Sequence, residues 1–190
     1  MNTLDTIDKA LMLWLNSKGA TWLDPFMVFV SSQWGWLPWY LFLVGSLWYF
    51  YGWKTALIGL LGCAASVTLT DQISVHAFKE VFQRLRPCHQ EDLVQWLRVV
   101  DGCGGQYGFV SSHAANTAGV AAFLYRLLPR APFTQKLLIF WATLVAYSRV
   151  YLGVHFPGDI LVGALLGVGI GTALAIPFLR LPVFEKAKAS

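Results

Sequence analysis

Charge is what this chain has least of. Only 13% of its 190 residues are Asp, Glu, Lys or Arg, against 56% hydrophobic. A soluble domain carries about a quarter charged residues, so half that share leaves too little polar surface to clothe a globule in water. No charged residue occurs at 25–53, 102–125 or 160–179. Basic runs are also missing despite a net charge of +4, which excludes a nucleic-acid surface. The three cysteines, Cys63, Cys88 and Cys103, lack metal-ligand spacing. No A-x-A site closes a short apolar run near Met1, where Asp5 and Asp8 precede Lys9, so no cleaved leader is expected. Internal repeats, low-complexity tracts and a second domain are absent too.

What is present is apolar and aromatic. A helix needs roughly 20 apolar residues to cross a hydrocarbon core, and 160–179 meets that outright. The nine Trp and seven Tyr suit the membrane interfaces, where a ring with one polar atom is well placed. The expected fold is therefore all-α. It is an integral membrane bundle of about six transmembrane helices (21–180) with an amphipathic N-terminal helix (1–20) and a short tail (181–190). Leu4, Ile7, Leu11, Trp14 and Leu15 share one helical face. Such a helix either lies along the membrane surface or packs on the bundle. Helices are expected at 21–32, 39–51, 53–85, 111–128, 134–152 and 157–179; the first covers only ~18 Å and either spans, is partly re-entrant or joins its neighbour. Gly35 and Pro38 break the first pair, and Pro87, Pro129, Pro132 and Pro157 punctuate the rest.

Six crossings place Lys54, Arg126, Arg130, Lys136, Arg180, Lys186 and Lys188 on one side, opposed by Glu185 alone. The 86–110 loop on the other side balances Arg86 and Arg98 with Glu91, Asp92 and Asp101. The positive-inside rule puts the first set, and both chain ends, in the cytoplasm. The loop then faces the periplasm or exterior, where Cys88 and Cys103 can persist as a disulfide or stand as two free thiols.

Three reactive clusters sit on that non-cytoplasmic side. Lys79 and Arg86 are seven residues apart, two turns along one helix face. They suit an anion held between them, or two cations snorkelling to the interface. Ser111, Ser112 and His113 open a helix, where free N–H groups favour phosphate. Ser111 also suits a simple cap, which leaves His113, a proton carrier near neutral pH, unexplained. The third run is Ser148-Arg149, then His155 and Asp159. A carboxylate on one imidazole nitrogen frees the other to attack, and the Arg149 fork suits phosphate. An Arg149–Asp159 ion pair is the structural alternative. Asp71, Gln72 and His76 are expected to face inward from the helix that carries Lys79.

In order, Lys79-x6-Arg86-Pro87, Ser111-x-His113 and Ser148-Arg149-x5-His155-x3-Asp159 resemble the type 2 phosphatidic acid phosphatase superfamily, over about 21–179. One departure is Val110-Ser111-Ser112-His113, where the family commonly has Pro-Ser-Gly-His. The resemblance implies that His155 attacks phosphorus, Asp159 orients it and His113 protonates the leaving oxygen, then activates water. It implies that Lys79, Arg86, Arg149, Ser111, Ser112 and backbone N–H groups hold the phosphate, with neither metal nor cofactor. Phosphatidic acid, phosphatidylglycerophosphate, undecaprenyl diphosphate and phosphorylated lipid A are the substrates such relatives use. Compact size leans toward undecaprenyl diphosphate. Two other functions are compatible with such motifs. Vanadate haloperoxidases share the anion pocket but are soluble. A non-catalytic lipid-binding or scrambling protein could lose His155, Asp159 or His113, yet all three are present.

Overall fold

The structure, a computed structural model, describes residues 3–129 and 131–182. Arg130, Glu185, Lys186, Lys188 and most of the expected tail lie outside them. The described residues are helical apart from loops and one isolated bridge, Leu85 to Tyr107. Among the described residues, seven helices of eight or more residues frame the fold: α1 Thr3–Asn16, α2 Asp24–Ser31, α3 Leu37–Tyr51, α4 Trp53–Phe82, α5 Ser112–Leu127, α6 Pro132–Tyr151 and α7 Pro157–Leu179. α2, α3, α6 and α7 each begin on a proline at their first or second position. There the missing N–H costs nothing and the fixed φ is already helical. Gly52, at φ 83°, separates α3 from α4 in a conformation that favours glycine.

The first of the expected crossing helices is shorter than expected. The expected 21–32 helix is a 3-10 turn followed by an eight-residue α2, which covers only ~12 Å. Met27 and Val30 are buried against the bundle, while Phe26 and Phe29 on the same helix are about half exposed. α2 and α3 run in series from the face carrying the long loop to the face carrying Leu128. Tyr51, Leu128 and Ala131 join one core cluster at that far face. α4 through α7 then pass back and forth between the two faces. Two helices, Trp53–Phe82 and Pro157–Leu179, are long and apolar enough to cross a bilayer by themselves. Leu41, Leu61, Phe140, Leu161 and Leu165 are all more than 60% exposed along these helices, a surface suited to lipid.

Small residues bring α5 and α7 close. Gly163, Gly167 and Gly171 lie four apart on α7, facing Ser111, Ala115 and Gly119. A Cβ added at Gly163 would stand 2.7 Å from the Ser111 carbonyl. This is the small-residue packing that lets apolar helices gain dispersion contacts where water provides no drive. It also seats the start of α5 on the first turn of α7: Ser111 N donates to Asp159 O at 3.0 Å.

α1 packs on the bundle, at the face of the long loop. Met12 is fully buried, while Leu4, Ile7 and Trp14 on the apolar face are exposed. Asn16, 1% exposed, donates to the Tyr151 carbonyl at 2.8 Å and accepts from Arg98 N at 2.8 Å. Lys9 pairs with Asp92 at 3.0 Å.

Candidate active site

Each predicted cluster ends at the same face for a local reason. α4 stays helical past Ile73 through a π-helical stretch, Ser74–Lys79, and stops at Gln83, which is left-handed at φ 47°. Such one-turn widenings re-aim side chains, and here Lys79 Nζ donates to Ser112 Oγ at 2.6 Å. Ser112 Oγ also meets Ser74 Oγ at 2.7 Å. After Gln83 the chain runs beside the Gly-rich loop. Gly108 N donates to Arg84 O at 2.8 Å and Arg86 N to Gln106 O at 3.1 Å. Arg86 is fixed by carbonyls, its Nη1 donating to Cys103 O at 2.8 Å and its Nε to Tyr107 O at 3.3 Å. Cys103 is disulfide-bonded to Cys88, with Cα atoms 5.8 Å apart.

The third cluster hangs on the end of α6. Val154 N and His155 N both donate to Arg149 O, at 3.1 and 3.3 Å. The turn depends on Gly153, at φ 83°, where a Cβ would stand 2.7 Å from the Arg98 carbonyl. His155 is 1% exposed and Asp159 fully buried. His155 Nδ1 lies 3.4 Å from Asp159 Oδ2, which also accepts from Phe156 N at 3.0 Å. Burial draws the His155 pKa down to about 4, against the opposing pull of Asp159. The imidazole is therefore neutral at neutral pH, as a nucleophile must be. Arg86 lies in the loop, where burial lowers its pKa as well.

Lys79, Arg86, Arg149 and His155 all lie within electrostatic reach of His113. Arg149 donates to Ser31 Oγ, and its buried Nε has no hydrogen-bond partner among the described residues. An unpaired buried donor beside two other cations calls for an anion. Ser111 is fully buried at the N-cap of α5, its hydroxyl accepting from Ala114 N at 3.5 Å. Ser111 thus caps the helix, and the adjacent Ser112 is the one touching Lys79. The alternative pairing of Arg149 with Asp159 is not formed. Asp159 pairs with Arg84 instead, at 2.8 Å.

The polar residues of α4 divide. Asp71 is half-buried and within electrostatic reach of Lys79. Gln72 and His76 are exposed, contrary to expectation, and His76 Nδ1 meets Glu80 at 3.0 Å. Sequence reasoning missed Arg84, Ser31 and Asp8 as site neighbours. Arg84 lies inside the first motif, but nothing in its local spacing marks it, since its partner Asp159 is 75 residues away. Among the described residues, no group of three or more His, Cys, Asp or Glu side chains could hold a metal ion.

A groove of about 620 Å³ leads away from His113 between α3, α4 and α5. Asn116 and Thr117 line it near His113, and Leu43, Leu60, Val67 and Trp141 are among its apolar walls. The arrangement combines a neutral, oriented imidazole, a ring of cations, a second histidine and an apolar channel.

Comparison with known proteins gives concordant matches. A model of the PAP2 superfamily matches residues 56–180. Lipid A 4'-phosphatase of Porphyromonas gingivalis is 34% identical over 168 residues, 87% of this chain and 70% of that protein. Lipid A 4'-phosphatase of Bacteroides thetaiotaomicron is 36% identical over 110 residues, 57% of this chain and 48% of that one. Phosphatidylglycerophosphatase B of Bacillus subtilis is 35% identical over 107 residues, 52% and 48%. The chain therefore spans 70% of the first relative and about half of the other two. Among solved structures, the transmembrane PAP2-type phosphatidylglycerolphosphate phosphatase of B. subtilis aligns with a TM-score of 0.66 at 24% identity. That alignment covers 94% of this chain and 87% of the other.

Proposed function

The chain belongs to the PAP2 superfamily, and on that premise we propose that it hydrolyses a lipid phosphate through a phosphohistidine on His155. The observation that carries this reading is the buried His155–Asp159 pair facing an unpaired Arg149 donor, with Lys79 and Arg86 beside it.

The steps balance on the chain's own residues. His155 Nε2 attacks phosphorus as the bond to the lipid oxygen breaks, and His113 gives that oxygen a proton. Asp159 holds Nδ1–H and offsets the positive charge that grows on the ring. Lys79, Arg86, Arg149, the Ser112 hydroxyl and N–H groups opening α5 bind the non-bridging oxygens. Water then attacks the phosphohistidine, loses a proton to His113 and releases inorganic phosphate, restoring His155. Phosphate monoester hydrolysis is among the slowest uncatalysed reactions. Fixed cations in a site shielded from water lower such a barrier most effectively.

The lipid tail fits the groove that leaves His113, so the leaving oxygen and its proton donor share one end of the channel. Likeness to the P. gingivalis lipid A 4'-phosphatase over 87% of the chain favours phosphorylated lipid A over undecaprenyl diphosphate. With α2 and α3 counted as one traverse the chain crosses five times, and the positive-inside rule favours a site on the non-cytoplasmic side of the inner membrane with the end of α7 in the cytoplasm. Phosphate release by purified protein from lipid A, undecaprenyl diphosphate, phosphatidylglycerophosphate and phosphatidic acid tests the reading. Lipid A should be turned over fastest, and His155→Ala should release no phosphate. Turnover by His155→Ala, or none by the wild type on any of the four, would overturn it.

A further inference from the structure

The mechanism above leaves unused a half-buried cation beside Asp159, Arg84. Arg84 Nη1 donates to Asp159 Oδ1 at 2.8 Å, and Nη2 pairs with Asp8 Oδ2 at 2.8 Å and Asp5 Oδ1 at 3.3 Å. Its guanidinium carbon stands 4.1 Å from the centre of the Phe156 ring. A planar fork can bridge two carboxylates while stacking on a ring; a lysine ammonium cannot do all three. Asp8 has a second task. Its Oδ1 accepts from Gly158 N at 2.8 Å, one of the free donors in the first turn of α7. The turn from His155 to Asp159 is thus held from α4 and from α1 together. α1 is itself anchored by Asn16 and by the Lys9–Asp92 pair.

We propose that Arg84 is a positioning residue for the His155–Asp159 pair, and that α1, through Asp8, is part of the frame of the active site. The inference rests on the phosphohistidine reading and extends it to residues outside the three motifs.

The physical case starts from Asp159, whose side chain is fully buried. A buried carboxylate is stable as an anion only if its oxygens are paired. Oδ2 serves Phe156 N and His155, and Oδ1 has Arg84. Lys79, Arg86, Arg149 and His113 also face the pair, and Asp5 and Asp8 stand behind Arg84. Apart from His155, Arg84 is the one cation in ion-pair contact with Asp159 among the described residues. Without it the anion loses its strongest partner while keeping its burial. The pair then binds a proton more readily, and an Asp159 no longer held at Oδ1 is free to turn from His155 Nδ1, so the attacking nitrogen loses its aim. Bound phosphate is gripped by other residues, so substrate affinity should be spared.

The test is kinetic and spectroscopic, on the full chain in detergent, with Arg84→Met, Arg84→Lys and Asp8→Ala. For Arg84→Met, removing one contacting charge predicts kcat lower by about tenfold or more and a His155 titration higher by about one pH unit. KM should stay within about twofold, since uniform binding is untouched. The titration is read by nitrogen NMR of labelled histidine, which involves no substrate. Arg84→Lys keeps the charge and should keep the titration near wild type at an intermediate kcat. Asp8→Ala should lower kcat with KM held. Wild-type kcat in Arg84→Met overturns the proposal. So does a lowered kcat with an unmoved titration, because that is what simple misfolding of the turn would give. Inactivity of the wild type would count against hydrolysis itself, and the titration would still report whether Arg84 controls His155.

Discussion

Replacing Cys88 and Cys103 together by serine should cost both stability and phosphate affinity. The bridge joins residues 15 apart, closing a loop of about 16 residues, which the chain-entropy model values at about 3 kcal/mol. For a chain of this size each kcal/mol shifts the melting midpoint by about 2–4 °C, so a drop of about 6–12 °C is expected. The local effect is more specific. Arg86 Nη1 is held by the carbonyl of Cys103 itself, so opening the loop frees a cation that should be preorganised for phosphate. Weaker vanadate protection should therefore accompany the lower midpoint. The assay is thermal unfolding in detergent with and without vanadate, for wild type, reduced wild type and the double variant. Two loop thiols alkylated without prior reduction would refute the bridge. An unchanged midpoint in the double variant would refute its energetic role.

Other perturbations reach different parts of the molecule. Vanadate, a phosphate mimic near transition-state geometry, should inhibit competitively, and activity should survive EDTA; restoration of lost activity by Mg²⁺ would refute the cationic pocket. His113→Ala should slow turnover of a monoester more than of a diphosphate, whose leaving group needs less protonation; equal losses on both would remove His113 from the acid role. Gly167→Val drives a side chain into the Ala115 carbonyl and should abolish monodisperse protein, whereas Gly169→Val meets open space and should be tolerated; size-exclusion profiles decide. His155, neutral in the fold with a pKa near 4 and free to titrate near 6.5 when unfolded, opposes folding in acid. Stability should fall as pH drops from about 6.5 to about 4, and His155→Gln should flatten that slope.

Helix boundaries were readable wherever proline or glycine sets backbone geometry. Both ends of α7 follow the apolar run that Pro157 opens, and α3, α5 and α6 fall within two residues of expectation. α2 was not readable, because hydropathy reports that Phe26, Met27, Val28 and Val30 are apolar and not whether lipid or protein covers them. The π-helical widening before Lys79 also carries no compositional mark. In the site, the three motifs were visible because phosphate chemistry needs particular groups at fixed local spacing. Arg84 and Asp8 were invisible for the opposite reason. Their partners are Asp159 and Gly158, 75 and 150 residues away along the chain, and only the packing of α1 over the start of α7 brings them together.

That packing also bears on which face of the membrane each end of the chain occupies. α1 touches Gly158, Arg98 and Tyr151, all at the face that carries His155. An even number of crossings returns the chain to the face it left, and an odd number does not. On the proposed count of five crossings from α1 to the end of α7, Arg180 should lie opposite α1. The charges fit that proposal: Lys54, Arg126, Lys136 and Arg180 gather at the far face, with no acidic residue beside them among the described residues. By the positive-inside rule the proposed orientation has that face in the cytoplasm. With Cys63 replaced by alanine, Ser17→Cys should react with a membrane-impermeant maleimide on intact spheroplasts. Lys54→Cys should react only after permeabilisation. If the two sites label alike, or in reverse, either the five-crossing count or the outward-facing site is wrong. An impermeant label at Arg180→Cys separates these cases, because only an even count puts it on the same side as Ser17→Cys.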